Sequence, residues 1–283
     1  MESEIRRPVV AGAFYPAKPD QLSKVVSDLL GEEIDRRCPT SVAPCALIVP
    51  HAGYPYSGLT AAAGYRSIAA LGRPSVVILL GANHTGLGGS VAIDDHDAWS
   101  TPLGDVPVAR DIVATLEEAG LSINRSAFTR EHSIEVQLPF LQVLWGSTTP
   151  IVPICVQPAP RSTLADIANT MASVLDETGP AMILASSDFS HYEKDEVARE
   201  RDEAAIASIL SLDPSRFLDL CASERLSICG AGAIATLLWL APHFGLDRAS
   251  LAGYSTSGDV TGDRSAVVGY AAISIVREVS CDD

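Results

Sequence analysis

An α/β fold, as a single domain with a central, largely parallel or mixed sheet flanked by helices, is what the sequence predicts, on three observations. Five apolar runs of strand length recur at 46–50, 76–80, 151–156, 181–185 and 265–276. Amphipathic stretches of helical length separate most of them, the alternation that builds a buried parallel sheet. A hydrophobic content of 47% over 283 residues supplies enough apolar surface for a large core.

In chain order, helices are expected at 20–31, 58–71, 108–119, 133–145, 162–177, 194–211, 214–222 and 230–241. Asp20, Ser57 and the Asp213-Pro214 pair offer starts, because short polar side chains cap orphan N–H groups and proline suits the first turn. Segment 32–44, with Pro39 and Pro44, reads as a surface connection. Segment 86–106 carries Gly86, Gly88 and Gly89, then Asp94-Asp-His-Asp97 and Trp99-Ser-Thr-Pro-Leu-Gly104; it reads as a strand or hairpin excursion that walls a pocket. Residues 253–263 read as a loop rather than a phosphate cradle, since no lysine accompanies their turn residues. No internal repeat, low-complexity linker or composition break divides the chain, so one domain over 1–283 is expected.

Charge narrows the partners. The formal net charge is -15, and with lysine only at 18, 24 and 194 the other seventeen of the 20 basic residues are arginines without a cluster. A phosphate backbone needs a basic face, so no nucleic-acid partner is expected. No apolar run approaches the roughly 20 residues of a membrane helix, and the start lacks a signal-peptide core, so a cytoplasmic protein with no membrane partner is expected. The six cysteines, Cys38, Cys45, Cys155, Cys221, Cys229 and Cys281, form no CxxC pair and read as reduced thiols, with Cys155 in the core. Neither a Walker A segment nor GxGxxG is present, so no nucleotide cofactor is expected.

The chemistry concentrates on strand ends. Three of the six histidines follow buried-strand patterns: Ala46-Leu-Ile-Val-Pro-His51, Val76-Val-Ile-Leu-Leu-Gly-Ala-Asn-His84 and Ala181-Met-Ile-Leu-Ala-Ser-Ser-Asp188-Phe-Ser-His191. Strands of a parallel sheet end on a common edge, where α/β proteins bind ligands. Asp188 and His191 would share a face of a helical turn, the carboxylate orienting an imidazole that moves protons; a helix cap is the other reading of Asp188. Cys229 precedes an apolar helical pattern, and a helix N-terminus favours a thiolate, which is both metal ligand and nucleophile; filling a tight turn is the plain alternative. Two histidines and a thiolate make an open-coordination set for a divalent metal. In Glu131-His132-Ser-Ile-Glu135, adjacency lets at most one of Glu131 and His132 face a given pocket, in substrate contact or ligand support, while Ser133 as an N-cap is the rival reading. His96 and His243 read as surface or structural.

Six motifs in order, Ala11-Gly-Ala-Phe-Tyr-Pro16, Pro50-His-Ala-Gly-Tyr54, Gly81-Ala-Asn-His84, Glu131-His-Ser-Ile-Glu135, Ser187-Asp-Phe-Ser-His191 and Cys229-Gly230, resemble the Memo family over about 8–276. The resemblance implies a fold similar to class III extradiol ring-cleaving dioxygenases, which hold non-haem Fe(II) with two histidines and a glutamate. It maps the metal set onto His51, His84 and Cys229, and the catalytic pair onto His191 and Asp188. It also implies a link to proteins of the AmmeMemoRadiSam gene group. Cysteine in place of the glutamate is a departure, because a softer thiolate shifts preference toward Cu(I), zinc or a differently poised iron.

Three functions follow as expectations. The first is a metal-dependent redox enzyme using Fe(II) or copper, with zinc as a further candidate. The second is a peptide or small-ligand binding module walled by Tyr15, Tyr54, Tyr56 and Trp99, in which Glu131 and His132 also contact the ligand. The third is a zinc hydrolase built on the same three ligands.

Overall fold

The computed structural model describes residues 3–31, 43–175 and 181–278. Cys38, Cys281 and most of the expected surface connection at 32–44 lie outside the described residues, as do the last two residues of the helix expected at 162–177.

A two-residue strand, β1 (Ile5–Arg6), precedes helix α1 (Pro19–Leu30). Lys18 takes the N-cap and Asp20 lies in the first turn, where its charge suits the helix dipole; Asp20 is not the cap. Strand β2 (Cys45–Val49), helix α2 (Tyr54–Ala69) and strand β3 (Val76–Ala82) follow. Helix α2 starts after Gly53 rather than at Ser57, whose hydroxyl donates to the Ala52 carbonyl at 2.9 Å. The excursion expected at 86–106 is three short strands, β4 (Val91–Ile93), β5 (Ala98–Thr101) and β6 (Gly104–Pro107).

After α3 (Arg110–Glu118) the chain passes through a 3-10 turn at Glu135–Gln137 into α4 (Leu138–Trp145). Ser133 therefore caps no helix; its hydroxyl donates to the Ala82 carbonyl at 2.9 Å and ties this segment to the end of β3. Then come β7 (Ile151–Val156), α5 (Arg161–Leu175), β8 (Ala181–Ser186), β9 (His191–Glu193), α6 (Asp195–Leu210), α7 (Pro214–Ser223) and α8 (Ala231–Leu240). Asp213 caps α7 as expected, accepting the Arg216 N–H at 2.9 Å. The chain closes with β10 (Arg248–Thr256), the single turn α9 (Gly258–Thr261) and β11 (Val267–Val276).

Strands β2, β8, β3 and β7 lie side by side in parallel and every residue in them is buried, as strands covered on both faces must be. Antiparallel strands complete the sheet: β11 beside β2, β10 beside β11, β9 against the start of β11, and β4 beside β7. The sheet is thus mixed. A second sheet of order β1-β5-β6 stands apart from it. Strand β10 was not expected: its residues are mostly half-exposed and lack an apolar run, and its pairing with β11 supplies what its composition does not. Residues 253–263 accordingly form the end of β10 and α9 rather than one loop.

Register brings the site together. Val49 pairs with Ser186 and Ser186 with Gly81, so β2, β8 and β3 end at one level. The residues that follow them emerge on one edge. Among the described residues no helix is long and apolar enough to cross a membrane.

Candidate metal centre

Beyond that edge, His51, His84 and Cys229 each offer a donor atom, all within 4.8 Å of one another. His51 is buried and His84 exposed, so the cluster has a closed side and an open side. The loop before α8 carries Cys229 onto the end of β8, and Gly230 is what lets it lie there. A Cβ at Gly230 would stand 2.5 Å from Ser187 Cβ and 2.8 Å from the Ser186 carbonyl oxygen. Gly81 does the same for the 131–134 segment, since a Cβ there would stand 2.5 Å from Ser133 Oγ.

Each histidine has one nitrogen already engaged. His51 Nδ1 lies 3.0 Å from Ser186 Oγ, whose single proton goes to the Ser133 carbonyl at 2.7 Å. Nδ1 is therefore the protonated nitrogen, and Nε2 presents a lone pair 3.3 Å from Cys229 Sγ. Gln137 completes this network, donating to Ser186 Oγ at 2.8 Å and to the Pro50 carbonyl at 2.9 Å. His84 Nδ1 lies 2.9 Å from Glu131 Oε1, and its backbone N–H donates to Oε2 at 2.6 Å, which leaves Nε2 free.

The two partners set opposite electrostatics. Burial, helped by the neighbouring His84, lowers His51 to about 3. It is a neutral imidazole at any ordinary pH. Burial also opposes charge on His84, but the hydrogen bond and charge of Glu131 outweigh it and raise the imidazole. Glu131 is held at about 2: burial pushes it up, while His84 and the backbone N–H groups of Ser133 and His84 more than reverse that.

Cys229 Sγ accepts the Asp188 backbone N–H at 3.2 Å. Burial, reinforced by the Asp188 carboxylate, nonetheless raises the thiol far above its ordinary value. The expected thiolate at the start of α8 therefore does not form by virtue of the helix end alone. A cation in the cluster would supply the missing charge, and a coordinated thiol is deprotonated. Two imidazole nitrogens, a sulfur so stabilised and an open side fit a transition metal.

Asp188 and His191 do not share a helical face. Residues 187–190 form no helical turn and run into β9, and no helix follows directly for Asp188 to cap. Instead Asp188 Oδ1 accepts the His51 backbone N–H at 2.8 Å, and burial raises its carboxyl against those donors. His191 Nδ1 lies 2.7 Å from the Phe189 carbonyl and 2.8 Å from that of Ser227. Both are acceptors only, so Nδ1 carries a proton and Nε2 is left to exchange one. The His191 backbone N–H also donates to Ser227 Oγ at 2.8 Å, two residues before Cys229, which places the ring beside the cluster.

Both Glu131 and His132 face the centre, contrary to the expectation that adjacency admits one. The segment is not helical, and Glu131 folds back to accept the backbone N–H groups of His132 and Ser133, each at 2.8 Å. With His84 these engage both its oxygens, so Glu131 orients the His84 imidazole, although Glu131, His84 and His132 also converge as a second possible donor group. The His132 ring stacks on His84 at 4.8 Å and meets His51 edge-on at 5.5 Å. Phe14, which sequence reasoning did not single out, closes the far side of His132 at 4.8 Å.

The aromatic walls fall elsewhere. Trp99 is fully buried, its indole N–H on Asp94 at 2.6 Å and the Arg6 guanidinium over its ring at 3.9 Å, so it offers no surface to a ligand. Tyr15 and Tyr54 are buried with their hydroxyls on Glu135 and the Val136 carbonyl, both at 2.7 Å. Their rings border a groove of about 850 Å³ beyond Phe14, beside the centre rather than in it. Tyr56 is exposed. His96 binds Asp94 at 2.8 Å and His243 lies exposed in a 3-10 turn, both structural or surface as expected. Ser186 and Gln137 were also missed; a polar serine ending an apolar strand was their one visible signal.

Comparison with known proteins accords with this architecture. The Memo family, described as Memo-like protein, matches residues 6–274. A MEMO1 family protein of Methanosarcina acetivorans is 41% identical over 274 residues, covering 96% of this chain and 99% of the relative. Those of Methanopyrus kandleri and Thermotoga maritima are 38% identical over 280 residues (96% and 99% covered) and 39% over 281 residues (94% and 97% covered). The crystal structure of an uncharacterized protein from Escherichia coli K12 shares the fold, with a TM-score of 0.54 at 14% identity over 82% of this chain and 99% of that one. Matched along nearly its whole length by the family and by relatives of equal extent, the chain belongs to the Memo family.

Proposed function

We propose that this Memo-family protein holds one transition metal, Fe(II) or copper ahead of zinc, through His51 Nε2, His84 Nε2 and the Cys229 thiolate. It would act as a dioxygenase-like redox enzyme on a small molecule admitted at the open side. The observation that carries this reading is that donors from positions 51, 84 and 229 converge within 4.8 Å. Both imidazoles are also oriented by a second partner, the arrangement that fixes metal-ligating histidines.

A bound metal would supply Lewis acidity and, for iron or copper, a change of oxidation state. Ser186 fixes the His51 tautomer, Glu131 orients His84, and the Asp188 N–H stabilises negative sulfur. His191, with Nδ1 committed to two carbonyls, takes or returns a proton at Nε2.

The test is elemental analysis and spectroscopy of protein purified without oxygen and without an affinity metal column, with oxygen consumption measured after iron loading. Near one equivalent of metal is expected in the wild type and little in His84→Ala or Cys229→Ser. A metal-free wild type, or variants that bind as much, would overturn the reading.

A further inference from the structure

Asp202, in the middle of α6, is buried, yet its carboxylate meets no cation within ion-pair distance among the described residues. Its contacts are all donors. Oδ1 accepts the Ser190 N–H at 3.0 Å and the Ser190 hydroxyl at 2.7 Å, and Oδ2 accepts the Tyr254 hydroxyl at 2.8 Å. Three converging donors suit an ionised carboxylate. A buried charge of this kind is retained against its desolvation cost only where something offsets it.

What it holds is the segment with Asp188 and His191. The Phe189 N–H donates to the Gly269 carbonyl at 2.9 Å and the Gly269 N–H to the Ser190 carbonyl at 2.8 Å, so the segment is strapped to β11. Asp202 closes the strap from the other side. The packing is tight enough to demand glycine at 269, where a Cβ would stand 1.9 Å from Asp202 Oδ2.

We infer that Asp202 is a positioning residue for His191: through Ser190 it fixes the segment that presents the imidazole. The inference rests on reading His191 as the proton-handling group of the centre. Other groups act here too. His191 faces Asp188 from its own segment, His51 from the end of β2 and the Tyr192 ring at 6.1 Å. Tyr254 on β10 faces Asp202 directly, and Arg199 sits 5.7 Å over that ring but is bound by Asp195 and Asp259. Burial raises the Asp202 carboxyl against the Ser190 and Tyr254 donors, and Asp202 is the group that joins α6 to this set.

The test is nitrogen-15 NMR of histidine-labelled protein, metal-free and with one equivalent of zinc. In the wild type the His191 ring should hold the single Nδ1–H tautomer that the Phe189 and Ser227 carbonyls select. Asp202→Ala should loosen the segment so that both tautomers appear, with metal stoichiometry as in the wild type, and Asp202→Asn, whose side-chain oxygen still accepts from Ser190, should restore the single form. Ser190→Ala removes the hydroxyl link alone and should mix the tautomers to a smaller degree, a readout that holds even if Asp202→Ala fails to fold. A single His191 tautomer in both Asp202→Ala and Ser190→Ala would overturn the inference. Absence of metal binding with the tautomer change intact would count against the proposed function alone.

Discussion

His51 and His84 occupy the same kind of place, just past a buried parallel strand, yet their surroundings give the two imidazoles different chemistry. His51 is enclosed and tied to a neutral hydroxyl, and is held uncharged to about pH 3. His84 is open to solvent and tied to a carboxylate that favours its protonated form. In the proposed centre this would give one fixed, buried ligand and one ligand at its mouth whose affinity is set by a charge. The second nitrogen of each ring, rather than the ring itself, decides the role.

Removing Glu131 should break the contrast hardest. Glu131→Ala strands the buried N–H groups of His132 and Ser133 together with those of His84, and a loss of about 3 kcal/mol in urea unfolding is expected, with metal affinity down about 10- to 100-fold. A variant as stable as Ser186→Ala would refute the difference between the two partners.

Gly81→Ala should come next, at about 2 kcal/mol, because the new Cβ presses on Ser133 Oγ and Ile134 and shifts the segment that carries Glu131. Its effect should fall on the His84 side: the His84 NMR titration should move while the His51 signals stay. Movement of both would show the two sides to be one unit.

Ser186→Ala removes a neutral partner and should lower stability by about 1 kcal/mol, with His51 losing its fixed tautomer in nitrogen-15 spectra. An unchanged tautomer would show that Ser186 does not set it.

Acid gives the finest separation in metal-free protein. His51 stays neutral in the fold but takes a proton near pH 6.5 when unfolded, so its contribution is full above pH 6.5 and is lost as pH falls toward 3. At pH 5.5 that amounts to about 1 kcal/mol. His84 has the opposite sign: its raised pKa contributes below 6.5 and is lost as pH rises through the raised value. Glu131, held at about 2, contributes above pH 4.5 and loses this on the way down to 2. Denaturation series at stepped pH should show the His51 slope vanish in His51→Asn; a slope that persists would assign it elsewhere.

The four buried parallel strands and the helices between them were legible because a strand covered on both faces must be apolar throughout. Strand β10 was not, since exposed residues such as Arg248 and Leu251 carry no such signature and only pairing with β11 makes them a strand. Likewise Ser57 resembles a helix start, but Tyr54 already begins α2, with Pro55 in its first turn. Asp202 was hidden for the converse reason: an acid within amphipathic α6 reads as solvated, and its burial depends on β10 and β11 closing over it.

The sequence by itself determined that His51, His84 and the 188–191 segment end strands of one parallel sheet, because hydrophobic periodicity and chain direction are local properties. Tertiary structure alone decided that Cys229 reaches His51, that Glu131 and His132 both turn inward, and that Trp99 does not. Those outcomes depend on which loops can approach within a few ångströms, through Gly81 and Gly230, and on how burial and nearby charge then divide protons among the groups they bring together.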